Sequence, residues 1–272
     1  MTTSRALQRL MLPFYRTLIL GRYLQPTLGA GLSWLWTSRE TTNFTYELSS
    51  KSRDYLSCVL SVVTNLPASD FARYIAEAES DTDLTNHILT TTATSDWAFK
   101  ADRAVYLSKR LGWYALVRAT KPEIVVETGV DKGLGAVVLC AAILRNRAEG
   151  NQGRYYGTDI NPHAGYLLCG PYKQAGEILY GDSIESLRGM QDKIGVFVND
   201  SDHSASYELE EYKTVLPLLH PDSVILGDNA HATSSLYEFS KANNRDFLFW
   251  KEEPVNHWYP GGGIGFSFRR RA

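Results

Sequence analysis

The chain has 272 residues, 44% hydrophobic and 21% charged, enough for one α/β domain with an extension and a core that needs no staple. A formal net charge of −2 lacks the basic excess of a nucleic-acid-binding domain, so nucleic acid is not expected as a partner. Cys58, Cys140 and Cys169 are scattered without a CxxC pair, which argues against a disulfide framework or a zinc site and suits a reducing, cytoplasmic setting.

The first segment, LQRLMLPFYRTLILGRYLQPTLGAGLSWLW, is apolar and aromatic, but Arg16, Arg22 and Gln25 interrupt it. No run approaches the roughly 18 apolar residues of a spanning helix, and Arg16 falls where a signal peptide keeps its apolar stretch. Pro13 and Pro26 are expected to break the segment into helices packed on the domain or on a second subunit. Weak association with a membrane surface is the alternative. An NFT sequon at Asn43 carries little weight without a secretion signal.

Two short helices are expected in SRDYLSCVLSVVTNLP and SDFARYIAEAES, with Ser69-Asp70 capping the second. TTTATSDW reads as a polar loop, and RAVYLSKRLGWYALVRAT as a helix with Leu107, Leu111, Tyr114 and Val117 at helical spacing. This places a helical extension over residues 1–104 as a lid or oligomer contact, ahead of a domain spanning 105–272.

From Pro122 the pattern alternates. EIVVETG, RYYGTDI, AGEILYGDS, IGVFVNDSD and DSVILGDN read as strands separated by helical stretches. RDFLFWKEE and GIGFSFRR then follow with only PVNHWYPGGG between them. The fold class is therefore α/β: a Rossmann-like, seven-stranded, mostly parallel sheet with a C-terminal antiparallel hairpin. Ligands of such sheets bind beyond the carboxyl ends of the strands. Five strands there end in an acid: Glu127, Asp159, Asp182, Asp200 and Asp228.

In VVETGVDKGLGA, Gly129, Gly133 and Gly135 let backbone approach a ligand beside a helix N-terminus. The spacing G-x-x-x-G-x-G departs from the dinucleotide fingerprint, and Glu127 beside it would repel a pyrophosphate but attract a cation. Asp159 is placed to accept ribose hydroxyls, and Asp182, with Ser183 nearby, to accept an adenine amino group; a helix N-cap is the competing use of either aspartate. Taken in order, ETGVDKGLGA, GTDINP and GDS resemble the cofactor motifs of class I S-adenosylmethionine-dependent methyltransferases, over about residues 105–268. The resemblance implies a cofactor site of Glu127, Thr128, Gly129, Gly133, Gly135, Asp159, Asp182 and Ser183.

Asp200 ends the fourth strand and Asp228-Asn229 the fifth, three oxygen ligands suited to Mg²⁺ or a similar hard cation. This arrangement resembles the metal-dependent O-methyltransferases of the catechol and caffeoyl-coenzyme-A type, which implies Asp200, Asp228 and Asn229 as metal ligands. Asp202 competes with Asp200 for that role. His203 stands where NDSDHSASYELEEY looks closest to the macrocin-type sugar O-methyltransferases, implying a general base; capping the following helix is its bland alternative. Glu208, Glu210 and Glu211 read as the solvated face of that helix. Asp202, His231, His257, Trp258 and Tyr259 are candidate substrate contacts, with Trp258 and Tyr259 otherwise covering the sheet edge. The implied function is methylation of a hydroxyl on a sugar, oligosaccharide or glycosylated metabolite by a homo-oligomeric enzyme. A phenolic acceptor, or a non-catalytic binding protein retaining the fold, are the alternatives.

Overall fold

The computed structural model describes residues 5–38, 46–100, 102 and 104–270; the sequon at Asn43 lies outside them. Among the described residues, helix α1 (Arg5–Thr37) precedes α2 (Ser50–Thr64), α3 (Ala68–Glu79), α4 (Thr82–Ala93) and α5 (Arg110–Thr120). The alternating part follows: β1 (Ile124–Thr128), α6 (Leu134–Ala148), β2 (Arg154–Asp159), β3 (Gly176–Tyr180), α7 (Ser183–Arg188), β4 (Ile194–Asn199), α8 (Ala205–Val215), β5 (Leu219–Asp228), α9 (Ser235–Ala242), β6 (Asp246–Trp250) and β7 (Ile264–Phe268). HAGYLLCGPY forms turns and the start of a 3-10 helix at Gly170–Ala175, where no apolar periodicity could sustain a longer helix.

One seven-stranded sheet runs in the order β3-β2-β1-β4-β5-β7-β6. β1 to β5 pair in parallel, and β7 inserts antiparallel between β5 and β6, as the missing helix between the last two strands requires. Chain order reverses between β1 and β4, so the ligand crevice of such a sheet opens above these two strands. One core joins β1 and β4 to α5 and α6 and continues without a break into α2 and α3 through Leu56, Leu60 and Phe71. The other face is closed by Leu187 of α7, Tyr212 and Val215 of α8, and Leu236 and Phe239 of α9.

Three local expectations are corrected. Pro13 and Pro26 do not break α1, which runs for 33 residues through both. It can do so because the helix is exposed along most of its length, and carbonyls that lose a partner to proline can turn to water. Among the described residues its last turns meet the domain, with Gly31 and Trp34 against Trp258. Helix α3 is preceded by Pro67 without a side-chain cap, and Asp70 lies within its first turn. The polar run TTTATSDW is helical as far as Ala93.

Candidate active site

The five strand-terminal acids converge. Glu127, Asp159, Asp182, Asp200 and Asp228 line one pocket of about 680 Å³, roomy enough for a nucleoside-sized ligand with a second small molecule. Ser183, Asp202, His203 and Asn229 line it too.

At the end of β1, Glu127 is buried and accepts a hydrogen bond from the Tyr155 hydroxyl. Burial pushes its carboxyl up to about 8, with the Tyr155 bond and the charge of Arg110 working against the shift. Gly135 owes its identity to this carboxylate: a Cβ there would lie 2.0 Å from Glu127 Oε1 and 2.7 Å from Trp113. Gly129 has φ +82°, and a Cβ would meet the Asp200 carbonyl at 2.0 Å, so the loops after β1 and β4 touch through it. Gly133 starts α6 at φ +95°. Of the three glycines, Gly129 lines the pocket, while Gly133 and Gly135 shape its wall from behind.

Asp159 accepts from the Asp131 and Asn161 backbone N–H groups, both at 2.8 Å, and so pins the loop after β1. Asp182 caps α7 through the Glu185 N–H and accepts from the Tyr207 hydroxyl, each at 3.0 Å. Asp182 therefore serves as the helix cap while Asp159 ties two loops, and both face the pocket with acceptor capacity left for a ligand. Thr128 does not line the pocket. Strand alternation turns it to the other face, where its hydroxyl oxygen lies 3.5 Å from Asn199 Nδ2 beside Glu211.

Beyond β4 and β5, single ligand atoms of Asp200, His203 and Asp228 lie within 4.8 Å of one another. His203 Nε2 is 3.7 Å from Asp200, and its Nδ1 is 3.4 Å from Glu208. Glu208 is buried and also accepts from the Thr233 hydroxyl. The Glu208 contact pushes the His203 imidazole up, ahead of the opposing effect of burial. Burial and the adjacent Asp228 carboxylate hold Asp200 well above the usual carboxylate range, against the pull of Lys109.

Glu208 and Glu211 correct the reading of α8 as a solvated face. Glu211 is buried and takes hydrogen bonds from Ser183, Asn199 and Ser201. Glu210 alone of the three behaves as expected, pairing with Arg188 near the surface at 3.3 Å.

Asp202 separates from Asp200. β4 ends at Asn199, so strand alternation no longer governs residue 202, and its exposed carboxylate accepts from the Ser204 N–H at 2.7 Å. The candidate substrate contacts beyond β5 fall outside the pocket lining. His231 is exposed, near Phe249. His257 and Tyr259 stack around Tyr46, and Trp258 meets Trp34 of α1 at 5.4 Å. Trp258 thus helps to fasten the end of α1.

Sequence reasoning passed over Lys109. It lies just before α5, is buried, and donates to Asp228 Oδ2 at 2.6 Å and to Asn229 Oδ1 at 3.2 Å. Burial opposes its charge, but Asp228, Asp200 and Glu252 more than restore it, so its ammonium sits above the ordinary lysine value. Two members of the expected Mg²⁺ set, Asp228 and Asn229, share this ammonium, while Asp228 Oδ1 has no hydrogen-bond partner among the described residues. Hard cations need oxygens at about 2.0–2.6 Å, and here an ammonium already bonds two of the three ligands. A dication on the remaining oxygens would press against a buried positive charge.

Residues 126–230 match a family described as a methyltransferase domain. No curated protein sequence matches the chain significantly. Among solved structures, the cofactor-bound Rv0187 from MTB is similar at 16% identity and a TM-score of 0.57, over 71% of this chain and 94% of that one. The SAH-bound methyltransferase PaMTH1 of Podospora anserina is similar at 15% identity and a TM-score of 0.50, over 73% and 94%. Sheet order and the crevice above β1 and β4 give the chain the fold of class I S-adenosylmethionine-dependent methyltransferases, and the matched segment runs from β1 to just past β5. No helix among the described residues is long and apolar enough to cross a membrane.

Proposed function

We propose that the enzyme transfers a methyl group from S-adenosylmethionine to a hydroxyl oxygen of a sugar, oligosaccharide or glycosylated metabolite. The observation that carries the reading is His203 held by buried Glu208 at one end of a pocket whose other end presents Glu127, Asp159 and Asp182. S-adenosylmethionine supplies an electrophilic methyl on a cationic sulfur. Glu127 balances the donor's positive charge, Asp159 takes the ribose hydroxyls and Asp182 the adenine amino group. With the Nδ1 proton directed at Glu208, Nε2 is left to accept the acceptor's proton, the division of labour a histidine base needs. The sugar preference rests on the resemblance of the residues around His203; the aromatic cluster at 257–259 does not contribute to it.

Residues 1–104 act in this reading as an extension in which α2 to α4 brace the domain and α1 serves as an association surface. The decisive experiment is transfer of isotope-labelled methyl to a panel of free and oligomeric sugars and catechols. Labelling of sugars supports the proposal, labelling of catechols alone replaces it with phenol methylation, and calorimetry showing no binding of S-adenosylhomocysteine removes both.

A further inference from the structure

Resting on the O-methylation reading, we propose that Lys109 is a built-in cation that takes the place of a divalent metal at the acceptor end, so that this enzyme methylates without one. The ammonium occupies the ground where the carboxylate ending β4 and the Asp-Asn pair ending β5 would coordinate an ion. It bonds Asp228 Oδ2 at 2.6 Å and Asn229 Oδ1 at 3.2 Å, with the carboxyl groups of Asp200 and Glu252 also close enough to act on it.

The placement is built into the fold. Lys109 follows Ser108, whose φ of +52° is one that non-glycine residues adopt at a cost. Two hydrogen bonds hold that turn: the Tyr46 N–H donates to Ser108 Oγ at 2.9 Å, and the Ser108 hydroxyl donates to the Tyr46 carbonyl at 2.9 Å. Asn229 is set from the opposite side. It has φ +50°, and a Cβ on Gly262 would lie 2.3 Å from its Oδ1. Both partners of the contact are thus held by positive-φ backbone in hydrogen-bonded turns. A buried lysine is strongly disfavoured unless paired, and this one lies 2% exposed against a carboxylate that is equally buried.

Lys109 lines the pocket beside Asp200 and His203, so its charge reaches the oxygen that reacts. In the transfer, the acceptor oxygen forms a bond to the methyl carbon while the carbon–sulfur bond breaks. The electron pair stays on sulfur, which becomes neutral, and the hydroxyl proton passes to His203. A fixed positive charge lowers the cost of the negative charge developing on that oxygen, the service a metal gives elsewhere.

The test is a Mn²⁺ titration followed by electron paramagnetic resonance, on the wild-type protein and on Lys109→Ala, with methyl-transfer assays before and after chelation. We expect no stoichiometric Mn²⁺ uptake by the wild type and unchanged turnover after chelation. Lys109→Ala should lose about 100-fold in kcat and take up one Mn²⁺ in the vacated site, with part of the rate restored by it. Should that variant fail to fold, the wild-type titration and chelation assay decide alone. One Mn²⁺ bound by the wild type and lost in Asp200→Asn, or a rate abolished by chelation, overturns the proposal while leaving O-methylation standing. Failure to bind S-adenosylhomocysteine would instead remove the methyl-transfer reading, and this inference with it.

Discussion

Lys109 Nζ and Asp228 Oδ2 lie 2.6 Å apart with both side chains 2% exposed, a closed ion pair joining the turn before α5 to the end of β5. Removing one partner leaves the other charge stranded. Asp228→Ala is therefore expected to lower unfolding stability by about 3–5 kcal/mol, and Lys109→Met/Asp228→Leu to recover most of that loss while staying inactive. Urea denaturation of the single and double variants reads both effects. A double variant as unstable as Asp228→Ala would show that shape, rather than charge pairing, holds the two elements together.

Binding of the cofactor should release a proton. With its carboxyl pushed up to about 8, Glu127 is mostly protonated at neutral pH, and a cationic ligand favours its ionised form. Affinity for S-adenosylmethionine should rise with pH up to about 8 and level off above it. Calorimetry in two buffers of different ionisation enthalpy measures the released proton directly, and Glu127→Gln should abolish the difference between buffers.

The acid limb of the pH–rate profile should lie above the ordinary histidine value. His203 must be neutral to accept a proton, and the Glu208 contact raises the pH at which it becomes so. Activity falls as pH drops through that point. Glu208→Gln should move the limb to lower pH and reduce the maximal rate about 10-fold or more, since the imidazole loses its orienting partner. A limb unmoved by Glu208→Gln would assign the ionisation to another group.

Gly135→Ala should weaken S-adenosylmethionine binding at least about 10-fold and cost about 1–3 kcal/mol of stability. The new methyl would lie 2.0 Å from Glu127 Oε1, and the buried carboxylate, flanked by Tyr155 and Trp113, has little freedom to retreat. Calorimetry and thermal unfolding check the two effects separately.

Helix α1 spans about 50 Å at the usual helical rise. It exposes Leu10, Phe14, Leu18, Tyr23, Leu28 and Trp36, and carries Arg9, Arg16 and Arg22 without an acid. The full chain should sediment with vesicles containing anionic lipid, more weakly as salt rises, and a chain lacking residues 1–37 should not. Neutral vesicles serve as the control. Light scattering that gives a fixed oligomer from the full chain alone, with no vesicle binding, would assign the helix to self-association.

The sheet was legible because its signals are short-ranged. Apolar runs of strand length end in Gly or Asp, helices of small aliphatic residues separate them, and the last two runs have no helix between them; the observed order β3-β2-β1-β4-β5-β7-β6 follows. The five acids that end or closely follow strands were equally legible, because parallel strands must point their carboxyl ends the same way, and all five line one pocket. Chain composition alone could not show that α1 continues through Pro13 and Pro26, since the penalty of a proline depends on whether water reaches the freed carbonyls.

Tertiary structure decided which charges compensate one another. Glu208 and Glu211 look like surface residues in sequence because helical periodicity sees only neighbours three or four positions away; their partners Thr233, Ser183 and Asn199 arrive from other elements. Lys109 carries no motif, and the carboxylate that accepts its hydrogen bond is 119 residues further along the chain. Local propensity fixes where strands and helices begin and end. A buried charge is stable only beside an opposite one, and that pairing exists only once the fold has brought the two together.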